Sequence, residues 1–187
     1  MGGGNNIMEQ QVILTEGEIN HIKSYPQQIK EGFDKDNPWF DSRLHNNESG
    51  AYSPTIRKSL EIPLDNKFIE PILLPHLLKY NIKSITGQVI MLQYNKGHYF
   101  KRHRDRISQD PHTSSRMQTL IIQLSDISDY EGGELLVRDK TANKTKGNMV
   151  IFDSNELHEC TTITSGTRYC LVTWLSANDY KKNVSLM

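Results

Sequence analysis

Short apolar segments of strand length fill the sequence from residue 84 to residue 176, and this pattern constrains the fold most. The segments are rich in β-branched residues and are separated by Gly-rich or polar turns. They are Ile85 to Tyr94, Tyr99 to Asp105, Gln118 to Leu124, Glu134 to Arg138, Asn148 to Phe152, His158 to Ile163 and Arg168 to Leu175. Many short strands at such spacing are typical of a β-sandwich or a jelly roll. The pattern therefore predicts a mainly β domain.

Two features of the N-terminal part predict helices that flank this β domain. The run Thr15 to Glu18 has the T-x-x-E form of a capping box, so we expect a helix from about residue 16 towards residue 25, where Pro26 ends or kinks it. In a second stretch, residues 65–80, apolar residues recur at three-and-four spacing. Two prolines interrupt this stretch and favour two short helices. The predicted fold class is α+β, with N-terminal helices buttressing a β core.

The length of the chain favours one domain. A chain of 187 residues is long enough to bury about 70% of the surface that its unfolded form exposes. Within that domain we expect a flexible leader (1–11), an N-terminal helical part (12–83), a β core (84–178) and a C-terminal tail (179–187). The leader prediction rests on its glycine and asparagine runs, which have no periodicity.

Residues 36–63 form a long segment without clear periodicity, rich in Asn, Ser and Pro, that nevertheless contains Trp39, Phe40 and Tyr52. Long irregular segments in a compact domain are usually functional lids or disordered. Aromatic side chains in such a segment indicate apolar surface that becomes buried when something binds. The segment is therefore a candidate substrate lid, and Trp39 and Tyr52 are candidate substrate contacts.

Composition excludes several classes of partner and location. Twenty-two basic and 22 acidic residues cancel, so there is no electrostatic argument for binding nucleic acid or an anionic membrane surface. No apolar run approaches the roughly 18 residues of a membrane span. Cys160 and Cys170 are too few for a disulfide framework, and the N-terminus lacks the apolar core of a signal peptide. We expect a soluble intracellular protein with no nucleic-acid or membrane partner.

Three residues have the chemistry and the spacing of metal ligands. Side chains alternate between faces along a strand, so His103 and Asp105 point the same way and can hold one ion. With His158 as a second imidazole they would form the two-histidine, one-carboxylate set that suits non-haem Fe(II). Zn²⁺ accepts the same ligands, so these residues alone leave the metal open. His158 taken alone also fits an ordinary surface histidine.

The metal motif is embedded in a longer pattern that decides between these interpretations. Tyr94 to Asp105 has the form Y-x-x-G-x-x-x-x-x-H-x-D, Glu131 to Leu135 reads E-G-G-E-L, and Gly166 to Trp174 carries a basic residue on the last predicted strand. Together these motifs resemble the 2-oxoglutarate and Fe(II)-dependent dioxygenases, and most of all their prolyl 4-hydroxylase branch. The resemblance covers about half of the chain, from Ser84 to Ser176. It implies a double-stranded β-helix, which is a jelly roll. It also implies Fe(II), 2-oxoglutarate as cosubstrate and O₂, with ascorbate as a further candidate.

The resemblance gives the metal and cosubstrate residues their roles. It implies that His103, Asp105 and His158 are the iron ligands and the catalytic centre. Arg168 would bind the distal carboxylate of 2-oxoglutarate, a task that suits a permanently charged guanidinium fork. The alternative for Arg168 is an exposed edge strand and an ion pair with Asp or Glu.

Further residues are assigned by position. Tyr94 matches a family tyrosine that reaches the cosubstrate. Gln123 stands where related hydroxylases often have tyrosine, and its amide can donate to the distal carboxylate. Thr119 shares a face of its strand with Gln123 and is a candidate for the same pocket. Tyr99 at the mouth and Trp174, on the face of Arg168, are candidate substrate contacts.

The carboxylate of Asp105 favours hydroxylation, because related halogenases replace it with a small residue. The first hypothesis is hydroxylation of a prolyl residue in a peptide or protein. The alternatives are hydroxylation of a free amino acid or other small metabolite, and a non-enzymatic scaffold that senses 2-oxoglutarate or oxygen through a vestigial site. Nucleic-acid demethylases of the superfamily carry a second arginine soon after the first. Residues 169–176 contain none, which disfavours that class.

Overall fold

A computed structural model of the protein describes residues 8–33, 37–42 and 55–182. The helices are α1 (Glu16–Lys23), α2 (Tyr25–Phe33) and α3 (Asn66–Leu77). The strands are β1 (Met8–Val12), β2 (Phe40–Asp41), β3 (Arg57–Lys58), β4 (Leu60–Leu64), β5 (Val89–Tyr94), β6 (Tyr99–His103), β7 (Gln118–Gln123), β8 (Tyr130–Gly132), β9 (Leu135–Val137), β10 (Lys140–Thr141), β11 (Asn148–Asp153), β12 (His158–Cys160), β13 (Ile163–Gly166) and β14 (Arg168–Leu175). None of the helices in these ranges has the length and apolar character needed to cross a membrane.

The strands form two larger sheets and one small one. The seven-stranded sheet has the order β1-β11-β7-β14-β5-β4-β2, the five-stranded sheet β10-β9-β12-β6-β3, and β13 pairs with β8. From β5 onwards the chain passes repeatedly from one sheet to another, and every pairing is antiparallel. This alternation is the jelly-roll arrangement. The predicted mainly β fold with flanking helices is confirmed.

The helices cover the outer face of the seven-stranded sheet. Ile19 and Ile22 of α1 and Leu73 of α3 are fully buried in one apolar cluster with sheet residues such as Leu120 and Leu171. Because neighbouring side chains alternate, the other face of β14 carries Arg168, Cys170 and Val172 inward, towards the five-stranded sheet. The fold thus supports the sheet on one side and leaves a cavity on the other.

The capping box at α1 is confirmed. The Thr15 hydroxyl accepts a hydrogen bond from the Glu18 backbone N–H at 3.2 Å, and the Glu18 carboxylate accepts one from the Thr15 N–H at 2.9 Å. Helix α1 ends before Ser24, as expected, but α2 follows at once, with Pro26 in its first turn. Proline is tolerated there because the first N–H groups of a helix have no partner inside it. The pattern of the sequence did not predict α2.

The expected break within residues 65–80 does not occur. Helix α3 is continuous through Pro71 and Pro75. Both prolines lie on the exposed side of the helix, whereas Ile69, Leu73 and Leu77 face the core. On the exposed side water can satisfy the carbonyl groups that lose their helical partners. Burial of the opposite side therefore outweighs the local cost of the prolines.

The expected leader and tail both contribute to the fold. Residues 8–11, placed in the leader, belong to β1, which pairs with β11 at the edge of the large sheet. Asp179, placed at the start of the tail, is fully buried and accepts hydrogen bonds from Ser84 and Thr86. Tyr180 forms a bridge with Ile82. Both segments are therefore part of the folded domain.

The candidate lid is largely regular where it is described. Strand β3 pairs with β6 in the five-stranded sheet, and β4 pairs with β5 in the seven-stranded sheet. The prediction of an irregular segment was therefore wrong for residues 57–63, which join the two sheets. Residues 43–54 lie outside the described part of the chain.

Candidate active site

The structure brings the three predicted metal ligands together. His103 ends β6, His158 begins β12, and the two are direct partners across that strand pair. Nε2 of His103 lies 3.1 Å from Oδ1 of Asp105, and Nε2 of His158 lies 3.2 Å from its Oδ2. The three ligand atoms all lie within 4.8 Å of one another. The strand pairing thus supplies the second histidine that residue spacing alone could not place.

Each imidazole is held in the tautomer that a metal requires. Nδ1 of His103 donates to the backbone oxygen of Lys101 at 2.7 Å, and Nδ1 of His158 donates to that of Glu156 at 2.9 Å. A carbonyl oxygen only accepts, so the proton must be on Nδ1. The lone pair of each Nε2 therefore points at the shared site. Such backbone contacts commonly orient metal-binding histidines.

The electrostatics favour an anionic carboxylate in this site. Burial alone would raise the pKa of Asp105. The nearby His158 and His103 outweigh burial and hold the pKa of Asp105 well below its usual range. Burial lowers the pKa of His103. Burial also acts to lower the pKa of His158, but the Asp105 charge outweighs it and raises that pKa. Two imidazoles, which bind a metal in their neutral form, and one carboxylate make a donor set that fits Fe(II).

Two side chains fix the orientation of Asp105. Thr119 Oγ1 donates to Asp105 Oδ2 at 2.7 Å, and Trp174 Nε1 donates to the same oxygen at 3.0 Å. Thr119, expected in the cosubstrate pocket, instead contacts the metal-binding carboxylate. Its hydroxyl also lies 3.0 Å from that of Ser154, so it is held between two partners. Trp174 faces inward as predicted and lines the cavity.

The aromatic residue at the mouth is Phe100, and Tyr99 does not line the cavity. In β6 the register shifts, so that His158 and Cys160 of β12 pair with His103 and Phe100. Between these two pairs, two residues of β6 (101 and 102) thus lie opposite one residue of β12 (159), which is the signature of a β-bulge. Strict alternation would have placed Tyr99 on the face of His103. The bulge places Phe100 there, and the expectation for Tyr99 was wrong for this reason.

A cavity extends from the triad to Arg168. Arg168 is 4% exposed; its Nε donates to Gln123 Oε1 at 3.1 Å and one terminal nitrogen to Cys160 Sγ at 3.4 Å. Tyr94 also lines the cavity, with its ring centroid 5.6 Å from the Arg168 Cζ. Among the described residues, no carboxylate lies within salt-bridge distance of Arg168. A buried cation without a counter-ion is costly, so this end of the cavity suits an anionic ligand.

Some residues of the site were not predicted, and some predicted residues lie elsewhere. Trp39 packs on Tyr169, with ring centroids 6.0 Å apart, and Tyr169 is on the face of β14 opposite to Arg168. Tyr52 lies outside the described residues. Arg57 lines the cavity and stands 4.4 Å from the Phe100 ring centroid, but nothing in its local sequence indicated this. Its position depends on the pairing of β3 with β6.

Comparison with known proteins agrees with this geometry. A family model described as the 2OG-Fe(II) oxygenase superfamily matches residues 89–176. A PKHD-type hydroxylase from Prochlorococcus marinus (strain NATL2A) is 30% identical over 125 residues, which cover 63% of this chain and 55% of that protein. One from Psychrobacter sp. (strain PRwf-1) is 34% identical over 111 residues, covering 55% and 43%. Over residues 89–176 the chain is thus similar to the 2-oxoglutarate- and Fe(II)-dependent oxygenases. It spans about half the length of these two relatives.

Solved structures of prolyl hydroxylases share the fold. A prolyl-4-hydroxylase from Pseudomonas putida has a TM-score of 0.61 and 16% identity, covering 91% of this chain and 92% of that one. A prolyl hydroxylase from Trichoplax adhaerens, in complex with a hypoxia inducible factor peptide fragment, has a TM-score of 0.68 and 15% identity, covering 93% and 85%. At such identities the likeness shows the fold alone, and it confirms the double-stranded β-helix.

Proposed function

We propose that the protein is an Fe(II)- and 2-oxoglutarate-dependent dioxygenase that hydroxylates a prolyl residue of a peptide or protein. One observation carries the proposal. A set of two imidazoles and a carboxylate, of which Asp105 and His158 are buried and His103 is partly buried, shares one cavity with a buried arginine that has no carboxylate partner among the described residues. A ligand that joins the two ends must chelate a metal and carry a second negative charge, as 2-oxoglutarate does. The names of the PKHD-type relatives and the fold of prolyl hydroxylases support the substrate class.

The roles of the side chains follow from their positions. His103, Asp105 and His158 would hold the iron, which supplies the oxidising chemistry when oxygen and cosubstrate are bound. Arg168 would bind the distal carboxylate and so fix the cosubstrate relative to the metal. Apolar walls such as Leu92 and Val172 exclude water from this cavity, which strengthens every charge interaction inside it.

The lining of the cavity mouth supports the proposal that a substrate binds beside the metal. Trp174 and Phe100 line it with apolar surface, and Arg116 lies 3.7 Å above the Trp174 ring. The Arg116 guanidinium also donates to the backbone oxygen of Asp105 at 3.1 Å. Hydrogen-bond donors beside apolar rings suit a peptide backbone next to a proline ring.

Turnover with defined substrates tests the proposal. The protein is incubated with Fe(II), 2-oxoglutarate, ascorbate and oxygen, together with either proline-containing peptides or free amino acids. We expect succinate to form in step with the addition of one oxygen atom to a prolyl residue, detected by mass spectrometry. Hydroxylation of free amino acids only would exclude the peptide substrate. Tight binding of iron and 2-oxoglutarate without any turnover would favour the sensing scaffold.

A further inference from the structure

His103 is the less enclosed of the two histidines in the triad, because its side chain is 16% exposed and that of His158 only 5%. The His158 ring packs against the ring of Phe152, with centroids 4.7 Å apart. The His103 ring is anchored at Nδ1 by its hydrogen bond to the Lys101 backbone oxygen at 2.7 Å. A hydrogen bond at one nitrogen fixes one point of the ring but not its plane. The position of the His103 Nε2 therefore also depends on what packs against the ring.

Phe100 supplies that packing and is itself supported by Arg57. The phenyl ring lies parallel to the His103 imidazole, with ring centroids 3.5 Å apart. The Arg57 Cζ lies 4.4 Å from the phenyl centroid, so the guanidinium covers the other face of the ring. Arg57 is buried, and a cation attracts an aromatic face more strongly when water is excluded from the contact. The phenyl ring is thus clamped between a cation and a metal-binding imidazole.

Strand pairing and two buried hydroxyls determine where Arg57 lies. Arg57 and Phe100 are direct partners across the antiparallel pair of β3 and β6, and such partners carry their side chains on the same face of the sheet. The Arg57 Nε donates to the Ser59 hydroxyl at 3.2 Å, and that hydroxyl donates to the Ser42 hydroxyl at 2.8 Å. Both serines are buried. A continuous path of contacts therefore leads from the end of β2 to the His103 ring.

The charge of Arg57 also faces the cavity, which allows a second role for this residue. Burial raises the pKa of the Cys170 thiol, and the charges of Arg168 and Arg57 act against burial. A cation inside the cavity would repel a bound metal ion. Removal of that repulsion would strengthen metal binding, whereas removal of a support for the His103 ring would weaken it. The two roles therefore predict changes of opposite sign in the metal affinity.

We propose that Arg57 is a positioning residue of the metal site, which acts through Phe100 to hold the plane of the His103 imidazole. This rests on the proposed function, in which His103 is an iron ligand. Arg57 would not contact the metal itself, because the phenyl ring lies between its guanidinium and the imidazole. The edge strand β3 thus contributes to metal binding although neither of its residues is a ligand.

Titration of the metal-free protein with Co(II) tests the proposal. Visible absorption reports both the affinity and the geometry of a Co(II) site, and it does not depend on turnover. Arg57→Gln should weaken Co(II) binding roughly 3- to 30-fold, the effect of losing one desolvated cation–π contact, and should change the absorption spectrum. In a protein that already carries Phe100→Ala, the same substitution should have no further effect, because the contact through which Arg57 acts is gone. Arg102→Gln is the matched control: this side chain on β6 is 48% exposed, and the affinity should stay the same.

The other outcomes of this titration each overturn the proposal. Tighter Co(II) binding by Arg57→Gln would show that the cation repels the metal directly. Equal weakening with and without Phe100 would show that Arg57 acts by another path, and an unchanged affinity would exclude any role. None of these results contradicts the proposed dioxygenase function, provided that His103→Ala still weakens Co(II) binding. If the unaltered protein does not bind Co(II), both proposals fail.

A second variant keeps the test open if Arg57→Gln does not fold, which circular dichroism would reveal. Ser59→Ala removes the hydroxyl that accepts from the Arg57 Nε and leaves the charge in place. It should weaken Co(II) binding in the same direction, and this effect should also disappear in the Phe100→Ala background. An effect of Ser59→Ala that is equal in both backgrounds would overturn the proposal.

Discussion

Phe100 and His103 stack with ring centroids 3.5 Å apart and planes 6° from parallel, although they are three positions apart along one strand. Arg57 lies 4.4 Å from the centroid of the same phenyl ring. Since two groups cannot occupy one face, the ring is held between the cation and the imidazole. The β-bulge in β6 makes this stack, because regular alternation would turn Phe100 away from the metal ligands.

Phe100→Ala should therefore impair the metal site, whereas Tyr99→Ala should not. Loss of the stack frees the His103 ring, and a ligand displaced by about 1 Å can lower turnover on the order of 100-fold. Iron affinity, measured by titration under anaerobic conditions, should fall with turnover. Tyr99 is the matched control, since it is the adjacent aromatic and does not line the cavity. Equal effects of the two substitutions would contradict the conclusion that the β-bulge places Phe100, and not Tyr99, beside His103.

Removal of any one metal ligand should abolish Fe(II)-dependent succinate formation. His103→Ala, Asp105→Ala and His158→Ala each delete a donor from a three-residue set. His21→Ala is the control, because His21 lies on α1 in contact with Phe68, on the helical side of the large sheet. Circular dichroism checks that each variant is folded. Turnover that persists at limiting iron in a ligand variant would disprove its assignment.

The local parts of the fold and site were predictable from the sequence, whereas their assembly was only partly so. The capping box at Thr15 and the inward direction of Trp174 depend on short-range geometry, which residue spacing records. Tyr99 was assigned wrongly because a bulge depends on the partner strand. Thr119 was assigned wrongly because its partner, Asp105, follows a different strand. Contacts between distant segments, such as Gln123 with Tyr130 and Arg168, are set by sheet topology and leave no periodic signal.

Arg168→Ala should raise the 2-oxoglutarate requirement strongly and leave iron affinity nearly unchanged. Losing a charge-assisted fork to a buried partner costs on the order of 2 to 5 kcal/mol. Isothermal titration with 2-oxoglutarate measures this loss directly. Arg102→Ala is a suitable control, because the Arg102 side chain is 48% exposed and contacts the loop at Arg138. Unchanged affinity in the Arg168 variant would place the carboxylate pocket elsewhere.

Gly133→Ala should destabilise the protein. Gly133 has a φ of +60°, and an added Cβ would meet Ile163 and the Tyr130 ring. The strained backbone alone costs on the order of 1 to 3 kcal/mol. Gly17→Ala is a control for which the opposite effect is expected. Nothing lies within 4 Å of a Cβ added at Gly17 in α1, so this substitution should stabilise the protein by about 0.4 to 1 kcal/mol. Chemical denaturation measures both, and a neutral Gly133→Ala would contradict the packing against Tyr130.

Glu18 links α1 to α3 and should make stability depend on pH in the acidic range. Its carboxylate lies 2.8 Å from His76 Nε2 and accepts the Thr15 N–H. Burial alone would raise the pKa of Glu18, but the Thr15 and His76 contacts outweigh it and lower that pKa. A carboxylate with a lowered folded-state pKa stabilises the fold above its unfolded pKa of about 4.3, and this contribution is lost as pH falls through the folded-state value.

Glu18→Gln should therefore be less stable than the unaltered protein near neutral pH. The difference should shrink as pH falls below about 4.3 and should vanish below the lowered folded-state pKa of Glu18. Urea unfolding at a series of pH values measures the difference in the free energy of unfolding. Glu131→Gln is the control, because Glu131 is exposed on β8 and should show no such trend. Glutamine keeps the length of the side chain and can still cap Thr15, so only the charge is removed. A difference that persists unchanged at low pH would show that the charge of Glu18 does not stabilise the contact between α1 and α3.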